Sequence, residues 1–490
     1  MTRKLTTEDL FAPQGLQIMP KQSQTLYVVV AKPTRVCNAH CSYCSSPPLE
    51  EMGEDWEPEW NFDTFKSYFD KVYPHMINGA FWIWHGGEPM LMGPVFYQKC
   101  YNYALVKMKE TGRYINFSMQ SNMLGYSDKW KDVFLNVFGS SLSTSFDPDE
   151  KNRTIKGNWE TYSRVFKRSL DNLVDDGFRP MVIGVYQESN AYLMHQVYDW
   201  SLSRGDRSFP VRFNYCVPTG RQGDTGELIS PITYGNTLVE VYNRWIKDVP
   251  EFTITPLDQM FKKVIGVDGE GHCPWTRKCG GRFFALEPNG DVYNCTDFAD
   301  LGSKYKFGNL NVDSVEDMLM SQPAQKIRRR QNQVPTSCMA CEHFDDCEGG
   351  CARDSLLYNK GMYGKFHYCH SWKIVFSRIK ESILLNEADE IIRRFGQDPI
   401  KVKNFVRNNL ENHFSDYEFD WELFDKNGLT HRFGFAENLK DVNVAYDESG
   451  QSILGKEQLP IFNFEDDEFK KNIEINSKLG QIKVRVESLK

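Results

Sequence analysis

Short apolar runs alternate with longer amphipathic stretches along the first half of the chain. Runs rich in β-branched residues predict strands, and stretches with apolar residues three and four positions apart predict helices. The predicted strands are Leu26–Lys32, Ala80–Trp84, Tyr114–Met119, Leu142–Phe146, Pro180–Tyr186 and Val211–Cys216. The predicted helices are Phe62–Tyr73, Val95–Lys109, Trp159–Asp176, Tyr192–Arg204 and Tyr234–Lys247. This alternation is typical of parallel βαβ units, so we expect an α/β fold with a partial (β/α)6 TIM-like barrel.

The alternating pattern stops near Gly266. Cysteines, glycines and short segments dominate from there to Cys369, and a helix is predicted at His370–Leu385. Four regions follow: an N-terminal arm (1–24), the barrel (25–265), a cysteine-rich domain (266–385) and a small α+β extension without an assigned role (386–490). The extension's predicted elements are the helices Lys401–His413 and Glu465–Ile473 and the strands Thr430–Phe435, Val442–Tyr446 and Gln481–Val486.

Composition narrows the class of protein. The length of 490 residues suggests two or three domains, and the formal net charge of −8 gives no reason to expect nucleic acid or an anionic membrane as partner. The apolar runs are too short to cross a membrane, and the start lacks a signal-peptide core, so we expect a cytoplasmic protein. Disulfides are rare in the cytoplasm, so thirteen cysteines indicate metal binding or catalysis. The isolated Cys100 and Cys216 are predicted to be buried packing residues.

The first cysteine group follows the first predicted strand directly. Cys37, Cys41 and Cys44 have the spacing Cys-x3-Cys-x2-Cys, which can direct three sulfurs at one metal centre. A 4Fe–4S cluster needs four ligands, so a cluster held here would keep one iron open. The alternative is a zinc site with His40 as the fourth ligand.

This triplet, with Tyr43 before its last cysteine, resembles the signature of the radical S-adenosylmethionine (SAM) superfamily. Three later segments match the family in order: Gly86-Gly87-Glu88-Pro89, Gln120-Ser121-Asn122, and Ser143–Asp147 followed by Arg153. The resemblance implies a SAM-binding 4Fe–4S cluster on the triplet. It also implies that SAM is bound by Gly86, Gly87, Glu88, Gln120, Asn122, Ser145 and Arg153, with residues 214–221 beside the adenine.

Eight further cysteines resemble the SPASM domain, a C-terminal extension of peptide-modifying radical SAM enzymes. Carried over by position, one auxiliary 4Fe–4S cluster would use Cys273, Cys279, Cys295 and Cys351, and the other Cys338, Cys341, Cys347 and Cys369. Two structural zinc sites are the alternative. The basic run Lys326–Arg330, which precedes the last four-cysteine segment, is predicted to be a solvated helix face, with a docking surface as the other interpretation.

The resemblance implies an enzyme that cleaves SAM to a 5′-deoxyadenosyl radical and oxidatively modifies a ribosomally made precursor peptide, with cross-linking of side chains the expected outcome. A flavodoxin- or ferredoxin-type protein would supply electrons. The first alternative is a sulfatase-maturing enzyme that forms formylglycine, and the second is a non-catalytic iron–sulfur electron carrier or scaffold.

One residue bears on the choice between these activities. Sulfatase-maturing relatives have an aspartate directly after the cysteine that here is Cys295, whereas this chain has Thr296 there and Asp297 one place later. The shift disfavours sulfatase maturation. Asp297 is the candidate catalytic base, and a turn-forming aspartate is its alternative interpretation.

Overall fold

One mixed sheet organises the molecule. The computed structural model describes residues 25–48, 51, 59–139, 141–223, 226–267, 273–359 and 361–413, and in these parts of the chain ten strands share this sheet. The strands are β1 Leu26–Ala31, β2 Met76–Trp84, β3 Asn116–Ser121, β4 Leu142–Ser145, β5 Met181–Tyr186, β6 Val211–Tyr215, β7 Ile254–Thr255, β8 Phe283–Leu286, β9 Asp291–Tyr293 and β10 Gly308–Asn309.

The strand order is β10-β9-β8-β1-β2-β3-β4-β5-β6-β7. Every neighbouring pair from β8 to β7 is parallel, and β9 and β10 add an antiparallel edge. The six strands predicted for the barrel are therefore all present as consecutive parallel neighbours. Because these strands run the same way, the loops that follow them lie along one edge of the sheet, where ligands of such folds bind.

Helices connect the parallel strands, as the amphipathic pattern predicts. Their starts are fixed by side-chain caps: Asn61, Asn158 and Ser230 each accept a hydrogen bond from a backbone N–H in the first turn of the following helix. In the barrel part these helices are α1 Phe62–Val72, α2 Pro94–Thr111, α3 Trp159–Asp175, α4 Leu193–Leu202, α5 Pro231–Asp248 and α6 Leu257–Val264. Between β3 and β4 the chain forms the short helical segments Lys131–Val133 and Phe134–Phe138.

The cysteine-rich region is built largely from short helices. The longer ones are α7 Val315–Met320, α8 Gln322–Arg329, α9 Ala352–Asn359, α10 Cys369–Leu384, α11 Asp389–Arg394 and α12 Pro399–His413. Cys369 begins α10, and the other cysteines of this region lie in loops or in helices of one turn. Among the described helices, none is both long and apolar enough to serve as a membrane span. The predicted arm and the elements predicted at 430–486 lie outside the described residues.

The cysteine-rich region shares its core with the barrel. Strand β8 lies beside β1, with Val28 opposite Phe283 and Ala31 opposite Leu286. On the other side of the fold, α10 packs on α5, and the hydroxyls of Tyr242 and Ser382 are 2.6 Å apart. The packing is continuous across the predicted boundary at 265/266, so the position of that boundary stays a prediction. Cys100 and Cys216 are buried in the barrel, as expected for packing residues.

Candidate functional site

The loop after β1 places the first cysteine triplet at the carboxyl edge of the sheet. Its three thiols are partly buried, and Cys41 pairs with Arg153 in a two-residue antiparallel ribbon. Burial raises the pKa of Cys37 to about 12, and the neighbouring Cys41 and Cys44 act in the same direction. Thiols in such surroundings ionise when a bound cation compensates their charge, which suits a metal centre.

Gly86 and Gly87 allow two backbone segments to touch beside this loop. The N–H of Gly87 donates to the carbonyl of Thr34 at 2.9 Å, and the N–H of Glu88 donates to that of Val36 at 2.8 Å. A Cβ on Gly87 would lie 2.2 Å from the Arg35 carbonyl oxygen, and one on Gly86 would lie 2.3 Å from that of Thr34. These glycines therefore hold the second strand's loop against the segment that leads into Cys37.

Glu88 joins the ends of β2 and β3. One carboxylate oxygen accepts hydrogen bonds from the Met90 N–H at 2.8 Å and the Ser121 hydroxyl at 2.6 Å, and the other accepts from the Asn122 N–H at 2.7 Å. Burial raises the pKa of Glu88 to about 6, while these three hydrogen bonds oppose the rise. The carboxylate of Glu88 is thus engaged in hydrogen bonds within the protein. The contact of Glu88 with the segment that leads into Cys37 is made by its backbone N–H.

Polar side chains follow β3 and β4. The Asn122 amide donates to the Asn38 side chain at 2.7 Å and lies 4.0 Å from the sulfur of Cys37. Gln120 donates to the Ser145 hydroxyl at 2.8 Å and accepts a hydrogen bond from Ser143. The structure therefore gathers the predicted SAM-binding residues at one edge of the sheet, around the cysteine loop.

Arg153 contacts the triplet itself. Its Nε lies 2.7 Å from a carboxylate oxygen of the buried Asp147, and one of its terminal nitrogens lies 3.6 Å from the sulfur of Cys41. The same Asp147 oxygen accepts a hydrogen bond from the Tyr43 hydroxyl, and the guanidinium lies over the Tyr43 ring. Sequence reasoning assigned no role to Asp147. Its place two residues after Ser145, at the end of a strand, was the available indication.

The loop after β6 closes the other side of the triplet. The N–H of Arg221 donates to the Cys44 carbonyl at 2.9 Å, and its guanidinium donates to the Cys41 carbonyl at 3.1 Å. Gly220 has a positive φ, and a Cβ there would lie 2.1 Å from the Cys44 carbonyl oxygen. The segment predicted to lie beside the adenine therefore also clamps the backbone of the cysteine loop.

Four of the eight later cysteines meet at one cavity. Cys338, Cys341, Cys347 and Cys369 line one cavity, together with Lys365, Lys373 and Trp372. Burial raises the pKa of Cys295, and the thiols of Cys351 and Cys273 add to that rise. Burial also raises the pKa of Cys351, and the thiols of Cys273 and Cys279 add to it. The cavity brings together one of the two sets of four that the resemblance implies, and the division of all eight cysteines into two cluster sites stays a prediction. Within the described residues, no three His, Cys, Asp or Glu side chains approach as closely as ligands of a single metal ion.

The chain is similar to known proteins in both sequence and fold. Residues 273–342 match the SPASM family model, an iron–sulfur cluster-binding domain. The solved structure of anSMEcpe with bound AdoMet and Cp18Cys peptide superimposes with a TM-score of 0.62 at 20% identity, over 74% of this chain and 99% of that one. The chain carries a SPASM domain on a radical SAM fold.

Two curated relatives extend the comparison. The serine-type anaerobic sulfatase-maturating enzyme of Bacteroides thetaiotaomicron is 24% identical over 381 residues, covering 73% of this chain and 90% of that protein. The mycofactocin maturase MftC of Mycobacterium ulcerans is 25% identical over 325 residues, covering 65% and 80%. The relatives are radical SAM enzymes.

A buried ionic network joins the SPASM domain to the cysteine loop of the barrel. Lys32 and Arg35 both follow the end of β1. A side-chain nitrogen of each lies 2.8 Å from a carboxylate oxygen of Glu287. Although burial opposes its ionisation, Lys32 and Arg35 hold the pKa of Glu287 below its usual value. Asp300 lies 3.8 Å from Lys32 and accepts a hydrogen bond from Ser46, two residues after Cys44. Sequence reasoning missed this network because its charges are 250 residues apart along the chain.

Asp297 lies at the contact between the SPASM domain and the barrel mouth. Its carboxylate is 2.9 Å from a terminal nitrogen of Arg353, and that arginine is also 3.0 Å from the fully buried Asp354. Asp354 accepts a hydrogen bond from Tyr215, the last residue of β6. The candidate base is therefore the first member of a polar chain that reaches the end of a barrel strand.

The basic run Lys326–Arg330 corrects one prediction. Lys326 and Arg329 are exposed, as expected of a solvated face, but Arg330 is only 1% exposed. Its terminal nitrogens donate to the carbonyls of Gly349 and Gly364, both at 2.7 Å. The solvated-face prediction is wrong for Arg330, because α8 ends at Arg329 and the side chain of Arg330 contacts the segments that contain Gly349 and Gly364.

Proposed function

We propose that the chain is a radical SAM peptide maturase that binds three 4Fe–4S clusters and oxidatively modifies, by cross-linking, side chains of a ribosomally made precursor peptide. The observation that carries the proposal is the placement of Cys37, Cys41 and Cys44 in one loop at the sheet edge, with four later cysteines around one cavity of the cysteine-rich region. We place the enzyme in the cytoplasm, with a flavodoxin- or ferredoxin-type electron donor.

The residues present fit these cofactors. The triplet offers three thiols in a loop with no fourth cysteine, and each later set offers the four thiols that a fully ligated cluster requires. When bound, SAM and the triplet's cluster would supply reductive cleavage of SAM and abstraction of a hydrogen atom from the substrate. The chain's own contribution is position: Gly86, Gly87 and Glu88 hold the loop after β2 against the cysteine loop, and Arg153 places a cation beside Cys41.

We assign the remaining site residues to SAM and to proton transfer. Gln120, Asn122 and Ser145 present polar groups beside the triplet, as a ligand with a ribose and an amino acid moiety requires. Asp297 is the candidate acceptor of the substrate proton: its side chain is 34% exposed, and its carboxylate lies 2.9 Å from a terminal nitrogen of Arg353. Peptide substrates are supported by the anSMEcpe complex with Cp18Cys peptide and by SuiB bound to its precursor peptide SuiA.

Sulfatase maturation is the second candidate, because three curated relatives are serine-type sulfatase-maturating enzymes. One anaerobic experiment separates the two activities. The reconstituted full chain, SAM and a reductant are incubated either with a short peptide encoded beside the enzyme or with a sulfatase-derived peptide containing the target Ser or Cys.

Loss of two hydrogens from the first peptide, without a carbonyl that hydrazine reagents trap, supports cross-linking. A trappable aldehyde in the second peptide supports formylglycine formation. SAM cleavage without change in either peptide contradicts both candidates.

Metal analysis tests the non-catalytic alternative. Three 4Fe–4S clusters require about twelve irons per chain. Two or three zinc ions per chain instead, with no SAM cleavage, would exclude the enzyme and favour a scaffold.

A further inference from the structure

Arg330 lies between the two sets of SPASM cysteines. It follows α8 directly and is almost completely buried, with 1% of its surface exposed. Burial lowers the pKa of its guanidinium, and the groups that oppose this shift are Cys338 and Cys347 of one set and Cys351 and Cys279 of the other. One cation is thus close to thiols of both proposed auxiliary clusters.

The contacts of Arg330 hold it at the segment shared by both sets. It donates to the carbonyl of Gly349, which lies in the short loop between Cys347 of one set and Cys351 of the other. Its second strong contact is the carbonyl of Gly364, and a longer one, at 3.4 Å, is the Ser355 hydroxyl. Two of its nitrogens are therefore fixed by neutral oxygens at a defined place between the sets.

The charge of Arg330 has no carboxylate partner. Among the described residues, no Asp or Glu forms an ion pair with it, and its Nε has no hydrogen-bond partner. A buried guanidinium without a counter-anion is costly, because its charge has been removed from water without a compensating negative group. The cysteine sulfurs of the two sets, which ionise when they bind a cluster, would be the negative groups that offset this cost.

We propose that Arg330 is the shared counter-cation of the two auxiliary cysteine sets and raises the reduction potentials of both clusters held there. The inference rests on the proposed function, because it needs clusters on both sets. One-electron reduction adds one negative charge to a cluster, so a fixed cation nearby stabilises the reduced form. Arg330 acts here as a positioning residue, since its effect would be exerted through the clusters.

The test is an EPR-monitored redox titration of the reconstituted full chain. Cys37, Cys41 and Cys44 are replaced by alanine so that only auxiliary clusters contribute to the spectra. Arg330→Gln removes the charge, Arg330→Lys keeps it, and Arg329→Gln is the matched control because Arg329 is the exposed neighbour. At the original midpoint potential, Arg330→Gln is expected to reduce the ratio of reduced to oxidised cluster about tenfold for both signals, a shift of about 59 mV to lower potential.

Both potentials falling in Arg330→Gln, while Arg330→Lys and Arg329→Gln stay near the parent values, supports the shared cation. Full iron content with unchanged potentials overturns it, as does an equal shift in Arg329→Gln, which would reflect general charge.

Loss of iron tests the same point. If Arg330→Gln loses iron and Arg330→Lys keeps it at the parent potentials, the charge is required, which supports the proposal. If both variants lose iron, Arg330 only holds the loops of Gly349 and Gly364 in place through its hydrogen bonds, and the proposal is overturned. Absence of auxiliary iron from the parent protein would reject the proposed function itself, and the role of Arg330 with it.

Discussion

Glu88 and Asn122 are joined by a 2.7 Å hydrogen bond from the Asn122 backbone N–H to the Glu88 carboxylate, which ties the ends of β2 and β3 together. The same carboxylate also accepts from Met90 and Ser121. In a Glu88→Gln variant the new amide would place N–H groups against N–H or O–H donors. We expect a loss of about 1–3 kcal/mol in the free energy of unfolding.

Urea unfolding of the metal-free protein measures this loss. Glu110→Gln is the control, because Glu110 lies on the exposed face of α2 with a single 3.8 Å ion pair to Lys107. Equal stability of the Glu88 and Glu110 variants would show that the carboxylate does not join the strand ends.

Close backbone contact predicts that Gly87→Ala disrupts the cysteine loop. The added Cβ would meet the carbonyl oxygens of Arg35 at 2.2 Å and Val36 at 2.3 Å, and neither backbone can move without shifting Cys37. We expect lower iron uptake at the triplet, measured as iron per chain in a background with the SPASM cysteines intact. Gly125→Ala is the matched control, since a Cβ there has no described atom within 4 Å. Normal iron uptake by Gly87→Ala would contradict the role of this contact.

The buried pair of Asp147 and Arg153 predicts a large, non-additive effect. Asp147→Asn leaves the Arg153 guanidinium buried beside Cys41 without its carboxylate, and we expect a loss of about 3–5 kcal/mol in stability. Adding Arg153→Met should restore part of this loss, because the uncompensated charge is then gone. In the exposed pair of Asp199 and Arg244, Asp199→Asn should cost about 0–1 kcal/mol. Additive effects of the two buried substitutions in urea unfolding would show that the residues do not interact.

His85 predicts a pH dependence of stability. Burial lowers the pKa of His85 to about 4, with Lys32 acting in the same direction, and its Nδ1 accepts a hydrogen bond from the Gly86 N–H at 2.7 Å. The unfolded chain, with a histidine pKa of about 6.5, binds the proton first as the pH falls. Stability from neutral His85 is therefore present above pH 6.5 and is lost between pH 6.5 and 4.

His85→Asn, which keeps an acceptor near the Nδ1 position, should flatten this part of the profile. Glu88 and Asp300 have pKa values raised to about 6 by burial, and they act with the opposite sign in the same range. The informative quantity is thus the difference between the thermal stabilities of the parent and the variant at each pH. A difference that does not change with pH would contradict the lowered pKa of His85.

The sequence predicts the barrel strands well because their signal is local. Runs such as Val28–Val30 and Val182–Val185 favour strands by composition alone, and the observed β1 and β5 agree with the prediction within one residue. The sequence prediction did not include the edge strand β7 or helix α6. A strand of two residues is too short to show a periodic pattern. The pairing of β8 with β1 could not be predicted, because it joins segments 250 residues apart and depends on the packing of the whole molecule.

The candidate site shows the same division. Cysteine spacing and the resemblance together grouped Cys338, Cys341, Cys347 and Cys369, which the structure places around one cavity. Other charged partners were not predictable: Glu287 and Arg353 look like ordinary surface charges in the sequence, and only the fold buries them. Arg330 shows the limit most directly, because Arg329 before it is exposed and the burial of Arg330 depends on where α8 ends.

Substitution of Cys347 and of Cys351 is the sharpest test of the proposed assignment of the later cysteines to two clusters. These two residues lie four positions apart in the chain yet belong to different proposed sets. Cys347 faces the cavity lined by Cys338, Cys341 and Cys369, whereas the thiols near Cys351 are Cys273, Cys279 and Cys295. We expect Cys347→Ala and Cys351→Ala each to lose about four of the roughly twelve irons, and to lose different EPR signals. Cys341→Ala should reproduce the first spectrum and Cys279→Ala the second, while Cys100→Ala, at a buried packing cysteine, should leave the iron content unchanged. Identical spectra for Cys347→Ala and Cys351→Ala would mean that the two residues share one cluster, and the assignment of both sets would then be wrong.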